Sequence, residues 1–220
     1  MRMMLVDLNL RGKIALVIGE GHELEARVQQ FHDAGATVVT ANTGSGEHLK
    51  FPKSVKVVKW TDRTKPEELI RRYDPYALVL ATTNKQFASE VSRSVRRPHP
   101  LVYAVDMPEV NDFNMPAVAK LGDIRVAVST SGISPAMAST LRKRIERIIT
   151  TQDLEEVRLQ ERIRDMIRKR IHDGELRKRC IYKIIHNQRI RECLQDNKFE
   201  QAKKLAMKQV EAYAEMVAIE

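Results

Sequence analysis

Two stretches of this chain hold groups whose type and spacing could do chemistry. In LVIGEGHELEARVQQFHDAGATVV, residues 16–39, Gly19 and Gly21 stand as the first two glycines of a G-x-G-x-x-G/A turn. In such a turn one glycine permits the tight bend and another lets backbone amides approach a pyrophosphate, which the following helix N-terminus also favours. Leu24 replaces the third small residue and is expected to hold the helix further from the strand. The second stretch is VYAVDMPEVNDFNMPA, with Asp106 at the end of an apolar run. A carboxylate there is ionised at neutral pH and can accept a proton. It can equally cap the bend at Met107-Pro108, and the residues alone leave both roles open.

Stepping outward, short β-rich runs at 13–19, 36–41, 55–60, 77–82 and 100–106 read as strands. Helices are expected at 23–34, 66–73 and 86–97, the second with Pro66 at its first position. Apolar strands alternating with helices imply an α/β fold, a parallel sheet covered on both faces. The strand ends then share one edge, where ligands bind in open sheets. Asn42 and Thr43 end the second strand. Asn can hydrogen-bond a ribose hydroxyl, and no arginine adjoins it to hold a 2′-phosphate, so the reading favours NAD over NADP.

A sixth strand is expected at 123–130, after a connection NMPAVAKLG. Ser134 and Pro135 then start a helix whose stripe is Met137, Leu141, Ile145 and Ile148. Ser129, Thr130 and Ser131 either bind a carboxylate arm of a substrate or simply turn the chain. From 151 onward Gly174 is the lone glycine and proline is absent, so the tail reads as all-helical. Asp153 with Glu156 suggests a capping box. A last helix carries Phe199, Ala202, Ala206, Val210, Tyr213 and Val217 on one face.

The formal charge of +9 favours an anionic partner. Nucleic acid is disfavoured: past residue 141, 20 Lys/Arg are interspersed with 14 Asp/Glu rather than focused on one helix. No run is long enough to span a bilayer, and the N-terminus lacks the features of a signal peptide, so no membrane role and a cytoplasmic setting are expected. Cys180 and Cys193 lack metal-ligand spacing, as do His22, His32, His48, His99, His172 and His186, so no metal site is expected.

The motifs VDLNLRGKIALVIGEG, AGATVV, LATTN, VDMPEVNDFNMPA and VAVSTSGISPAMASTLRKRIE occur in the order and spacing of a known family. Over residues 5–148 the chain resembles the precorrin-2 dehydrogenases, also found as the N-terminal module of siroheme synthases. The resemblance implies a Rossmann domain (1–114), a dimerisation region (115–150) and a small helical domain (151–220), assembled as a homodimer. It implies NAD-dependent oxidation of precorrin-2 to sirohydrochlorin, with ferrous iron insertion in some members. Carried over by position, Gly19 and Gly21 match the family's nucleotide loop, His22 and Glu23 the pair whose backbone meets the cofactor, Asn42 and Thr43 its ribose edge, and Thr82 and Thr83 the loop that lies against the dinucleotide. Asp106 matches the catalytic aspartate. The chain departs from the family where Glu20 and Leu24 replace a glycine and an alanine, where Tyr103 replaces an asparagine, and where Ala88 stands for another asparagine.

For a polycarboxylate such as precorrin-2, candidate cations are Arg142, Lys143, Arg144 and Arg147, and Arg168–Arg170 with Arg177–Arg179 in the tail. Each can equally belong to a solvated helix face. The competing reading is an NAD-binding regulatory or sensor protein without catalysis, which tight NAD binding without turnover would distinguish.

Overall fold

The computed structural model describes residues 4–44, 49–95 and 100–219, with side chains through residue 216. The chain divides into two compact units, Arg2–Met115 and Pro116–Glu220.

In the first unit five parallel strands form one sheet in the order β3-β2-β1-β4-β5. They are β1 (Ile14–Gly19), β2 (Thr37–Asn42), β3 (Lys56–Val58), β4 (Ala77–Ala81) and β5 (Leu101–Ala104). Side chains of β1 alternate between the two faces, as a strand's two-residue period requires. Ala15 and Val17 pack with Leu24, Val28 and Phe31 of α1 (Gly21–Asp33). Leu16 and Ile18 pack with Leu69 of α2 (Pro66–Tyr73) and with Ala88 and Val91 of α3 (Lys85–Ser94). Every β1 residue from 15 to 19 is buried, which explains the unbroken apolar run in the sequence. The sheet is thus wound on both sides, as expected.

Several boundaries differ from expectation. Helix α1 starts at Gly21, two residues early, so the second glycine is helical in place although its φ is +63°. The third strand shrinks to three residues and the fifth to four. Helix α3 ends at Ser94, and the expected continuation over 96–97 lies outside the described residues. Leu24 does not fend off the sheet. It is fully buried in the core between α1 and β1, with Val17 and Ala81.

The second unit opens with a separate two-stranded antiparallel sheet, β6 (Ala117–Leu121) and β7 (Ile124–Val128). The segment read as a connection is therefore a strand. Its small alanines carry little strand signal; Ala119 is buried and Ala117 half-buried. Helix α4 (Pro135–Ile148) follows, with Ser134 accepting from the Met137 amide at 3.3 Å as its N-cap. Ile133, Met137 and Ile148 around this helix are exposed, as is Val118 on β6.

Helices α5 (Thr151–Arg170), α6 (Gly174–Ile185), α7 (Gln188–Gln195) and α8 (Phe199–Ile219) make the tail. Leu159, Ile163 and Ile167 of α5 recur every four residues and meet Ala202, Ala206 and Val210 of α8 in one core. Val217 of the expected stripe lies outside the described side chains. The capping box sits one turn earlier than read: Thr150 is the N-cap of α5, and Asp153 is its N3 partner rather than its cap. Glu156 instead accepts from Gln152 at 2.9 Å. Among the described residues no helix is long and apolar enough to cross a membrane.

Candidate functional site

The carboxyl edge of the five-stranded sheet gathers most of the expected cofactor residues, because β1, β2 and β4 are adjacent and parallel. Gly19 ends β1 opposite Ala81 of β4 and Asn42 of β2. A side chain cannot be placed there: a Cβ on Gly19 would lie 1.9 Å from the Ala81 carbonyl oxygen. The close approach that demands glycine is thus between two strands. Gly21, with its left-handed φ, makes the bend. The Glu20 amide donates to Ala81 O at 3.0 Å, and the Thr43 amide donates to Gly19 O at 2.7 Å. Thr43 Oγ1 donates to the same Gly19 oxygen at 3.1 Å, so its hydroxyl locks the turn.

The first α1 hydrogen bond runs from the Leu24 amide to Glu20 O at 3.3 Å. The amides of Gly21, His22 and Glu23 precede it and are the helix's orphan donors. Glu20 is the N-cap, yet its carboxylate does not bond to these amides. An amide cluster at a helix N-terminus, not hydrogen-bonded by its N-cap side chain, fits the pyrophosphate of a dinucleotide. The His22 side chain is fully exposed and pairs with Glu25 at 3.2 Å, which leaves only its backbone for the turn. Thr82 is buried, whereas Thr83 beside it is exposed.

Asp106 stands two residues beyond β5, exposed and with a φ of +55°. Strand β5 is two places from β1, so about 10 Å of sheet edge separates their axes at ~4.8 Å per strand. The carboxyl end of β5 is held by residues that sequence reasoning passed over. Asn111 Oδ1 accepts from the Ala104 amide at 2.6 Å, and Asp112 Oδ2 accepts from the Val102 amide at 2.9 Å. The Asp112 amide returns a bond to Val102 O at 2.9 Å. Segment 110–114 thereby closes the sheet edge, and buried Met107 anchors the bend after Asp106. The V-N-D-F-N signature is in large part this clamp.

Tyr103 lies on the α1 face with Phe113 at 5.6 Å, and the Arg27 guanidinium sits 5.4 Å from its ring centre. Arg27 is held by Glu23, Nε to Oε1 at 2.6 Å. Burial pushes the Tyr103 phenol up; Arg27 pulls it down, while the Glu23 and Asp106 carboxylates add to the rise. Tyr103 is therefore a neutral phenol at pH 7.

In the second unit the S-T-S turn serves its own backbone. Thr130 Oγ1 accepts from the Ser134 amide at 3.1 Å and donates to Ser134 O at 3.0 Å. Ser129 Oγ accepts from the Ser131 amide at 3.2 Å, and Ser131 has a φ of +52°. These bonds are those of a chain turn. Arg142 pairs with Glu146 at 2.7 Å, and Arg177 caps α5 by donating to His172 O at 2.7 Å. Lys143, Arg144, Arg147 and the 168–170 run are exposed. Lys178 and Arg179 border a groove of about 600 Å³ with Tyr182, Lys183 and His186. No group of three His, Cys, Asp or Glu side chains that could hold a metal occurs among the described residues, and His48 and His99 lie outside them.

Comparison with known proteins agrees with the motif resemblance. A family model described as putative NAD(P)-binding matches residues 6–117, and one described as sirohaem biosynthesis protein central matches 122–148. A precorrin-2 dehydrogenase of Methanosarcina barkeri is 24% identical over 187 residues, covering 83% of each chain. That of Bacillus subtilis is 26% identical over 155 residues, 70% of this chain and 94% of the relative. A siroheme synthase of Methylococcus capsulatus is 30% identical over 179 residues, 79% of this chain but 36% of that longer protein. Among solved structures, the precorrin-2 dehydrogenase SirC superposes with a TM-score of 0.66 at 18% identity, covering 96% of this chain and all of that one. The fold is therefore shared, and the chain belongs to the putative NAD(P)-binding family whose model spans its first half, followed by the central segment of the sirohaem biosynthesis proteins.

Proposed function

We propose that this protein is an NAD-dependent precorrin-2 dehydrogenase that forms sirohydrochlorin. The observation that carries the reading is a shared edge: the open amides of α1 and the exposed Asp106 carboxylate both stand at the carboxyl ends of one parallel sheet. Removing two hydrogens from the macrocycle takes a hydride and a proton. Bound NAD supplies the hydride acceptor. The backbone amides of Gly21, His22 and Glu23 would hold its pyrophosphate, with Asn42 and Thr43 beside its ribose and Thr82 and Thr83 along the dinucleotide. Asp106 accepts the proton that leaves the substrate; its left-handed backbone projects it from the end of β5, and the Asn111 and Asp112 clamp fixes that end.

The exposed cations of α4 and of the α5 terminus offset the substrate carboxylates and speed capture of a polyanion. Ser129, Thr130 and Ser131 retain a backbone turn from which an amide or the Ser131 hydroxyl can meet a carboxylate arm. The 115–150 segment is the dimerisation region of a homodimer. Exposed Val118 on the hairpin, Ile133 in the turn before α4, and Met137 and Ile148 on α4 support this, being apolar surface that a second copy would cover. Two free cysteines accord with a reducing cytoplasm.

The test is turnover of precorrin-2 with NAD+, followed by nicotinamide absorbance and sirohydrochlorin bands, for wild type and Asp106→Asn. The variant is expected to lose at least about a hundredfold in kcat, in line with loss of a general base, and to bind NAD+ as before. Equal rates would remove Asp106 from the reaction, and NAD+ binding without turnover in the wild type would favour a sensor.

A further inference from the structure

Glu20, between the two glycines of the turn, is held in a definite direction. Thr82 Oγ1 donates to Glu20 Oε1 at 3.0 Å while accepting from the Asn84 amide at 3.1 Å. The hydroxyl's one proton is thus committed to the carboxylate, from a residue that is itself buried. The side chain reaches from the Thr82 side of β1 to Gly44, two residues beyond the end of β2. A Cβ built on Gly44 would meet Glu20 Cβ at 3.1 Å and Oε2 at 3.8 Å. Oε2 therefore faces the end of β2, where folds of this type meet the adenosine ribose, commonly with an acid. The residue ending β2 here is Asn42, and its Oδ1 already accepts from the Gly44 amide at 2.9 Å. That oxygen keeps a second lone pair but is a neutral acceptor, whereas a carboxylate would accept from a donating 2′-hydroxyl with the strength of charge.

We propose that Glu20 supplies this acceptor and selects the cofactor: Oε2 accepts from the adenosine 2′-hydroxyl of NAD, and its charge repels the 2′-phosphate of NADP. The inference rests on the cofactor reading above and adds to it a residue contributed by the glycine turn itself. Because the carboxylate bonds to Thr82, it takes none of the α1 amides for itself.

The experiment is calorimetric titration of wild type, Glu20→Gln and Glu20→Asp with NAD+, NADP+ and NAD+ lacking the adenosine 2′-hydroxyl. Wild type is expected to prefer NAD+ over NADP+ by about a hundredfold. Glu20→Gln should lose roughly tenfold in NAD+ affinity, the scale of one charge-assisted hydrogen bond, and bind NADP+ more tightly, so the preference collapses. The deoxy analogue should bind wild type about as weakly as NAD+ binds Glu20→Gln, and be indifferent to that substitution. Glu20→Asp, too short to reach, should lose NAD+ affinity yet still exclude NADP+. An unchanged preference in Glu20→Gln, or tighter NAD+ binding by it, would overturn the proposal while leaving the cofactor reading intact. A wild type that binds neither nucleotide would overturn both.

Discussion

Replacing Gly19 by alanine separates the two services a glycine can render in this turn. The new Cβ would lie 1.9 Å from Ala81 O, 2.4 Å from its carbonyl carbon and 2.9 Å from its Cα. Since Cβ atoms essentially never come within 3.0 Å of a neighbour, the Ala81 carbonyl must retreat by about 1 Å. That stretches the Glu20 amide to Ala81 O bond, now 3.0 Å, beyond hydrogen-bond range. Overpacking costs about 1–3 kcal/mol, and a buried carbonyl losing its partner adds about 1–3 kcal/mol. A loss of about 3 kcal/mol is expected, a shift of roughly 1.5 M in the urea midpoint at an m-value near 2 kcal/mol per M. Trp60, the chain's single tryptophan, packs edge-on to Phe87 at 5.8 Å within this unit, so its fluorescence reports the transition. NAD+ affinity should fall too, because the α1 amides move with Glu20. Gly12→Ala is the comparator: it meets no atom within 4 Å and has a φ of +73°, so it costs about 1–2 kcal/mol of backbone strain and leaves binding alone. A Gly19→Ala midpoint no lower than that of Gly12→Ala would refute the strand-contact argument.

Two more substitutions probe the remaining supports. Asn111→Ala leaves the Ala104 amide unpaired beneath the Asp106 bend. It should destabilise the first unit by about 1–3 kcal/mol and lower kcat more than NAD+ affinity, read by Trp60 denaturation and steady-state rates. Thr150→Ala removes the α5 cap and should cost about 1 kcal/mol, seen as a lower helical melting temperature. Bonds from the Thr150 amide and hydroxyl hold the Asp153 carboxyl below its usual range. Its contribution is therefore present above the unfolded value near ~3.9 and is lost as pH falls through the lower folded value. Thr150→Ala removes the hydroxyl bond but keeps the larger amide bond, so the acid limb of the melting curve should flatten in part, and an unchanged acid limb would refute the hydroxyl's share.

What the sequence made legible was whatever depends on near neighbours along the chain. The helix expected over 66–73 is α2 residue for residue, because Pro66 fixes its start and nothing downstream competes. The continuous apolar runs of β1 and β4 are legible because both faces of the sheet are covered. Strand β6 was not, since Ala117 and Ala119 pack under α4 with side chains too small to set up an alternation. The α5 cap was misread for a related reason. Thr150 and Asp153 form one box, yet Asp153 and Glu156 present the same spacing one turn on, and only backbone geometry chooses between them.

The candidate site divides along the same line. The glycines announced a turn, and the turn is there, but the sequence could not say which glycine answers which constraint. Gly19 answers a strand that begins 58 positions later, a contact no local pattern encodes. Glu20 looked like a defect in a glycine motif for the same reason: its partner Thr82 is 62 residues away. Once β4 is laid beside β1, the departure becomes a directed carboxylate next to Gly44. Asn42, standing where an acid is usual, and the extra acid of the turn then both lie against Gly44. A motif scored position by position counts these as two faults. In space they compensate, provided that Glu20 and not Asn42 takes the ribose.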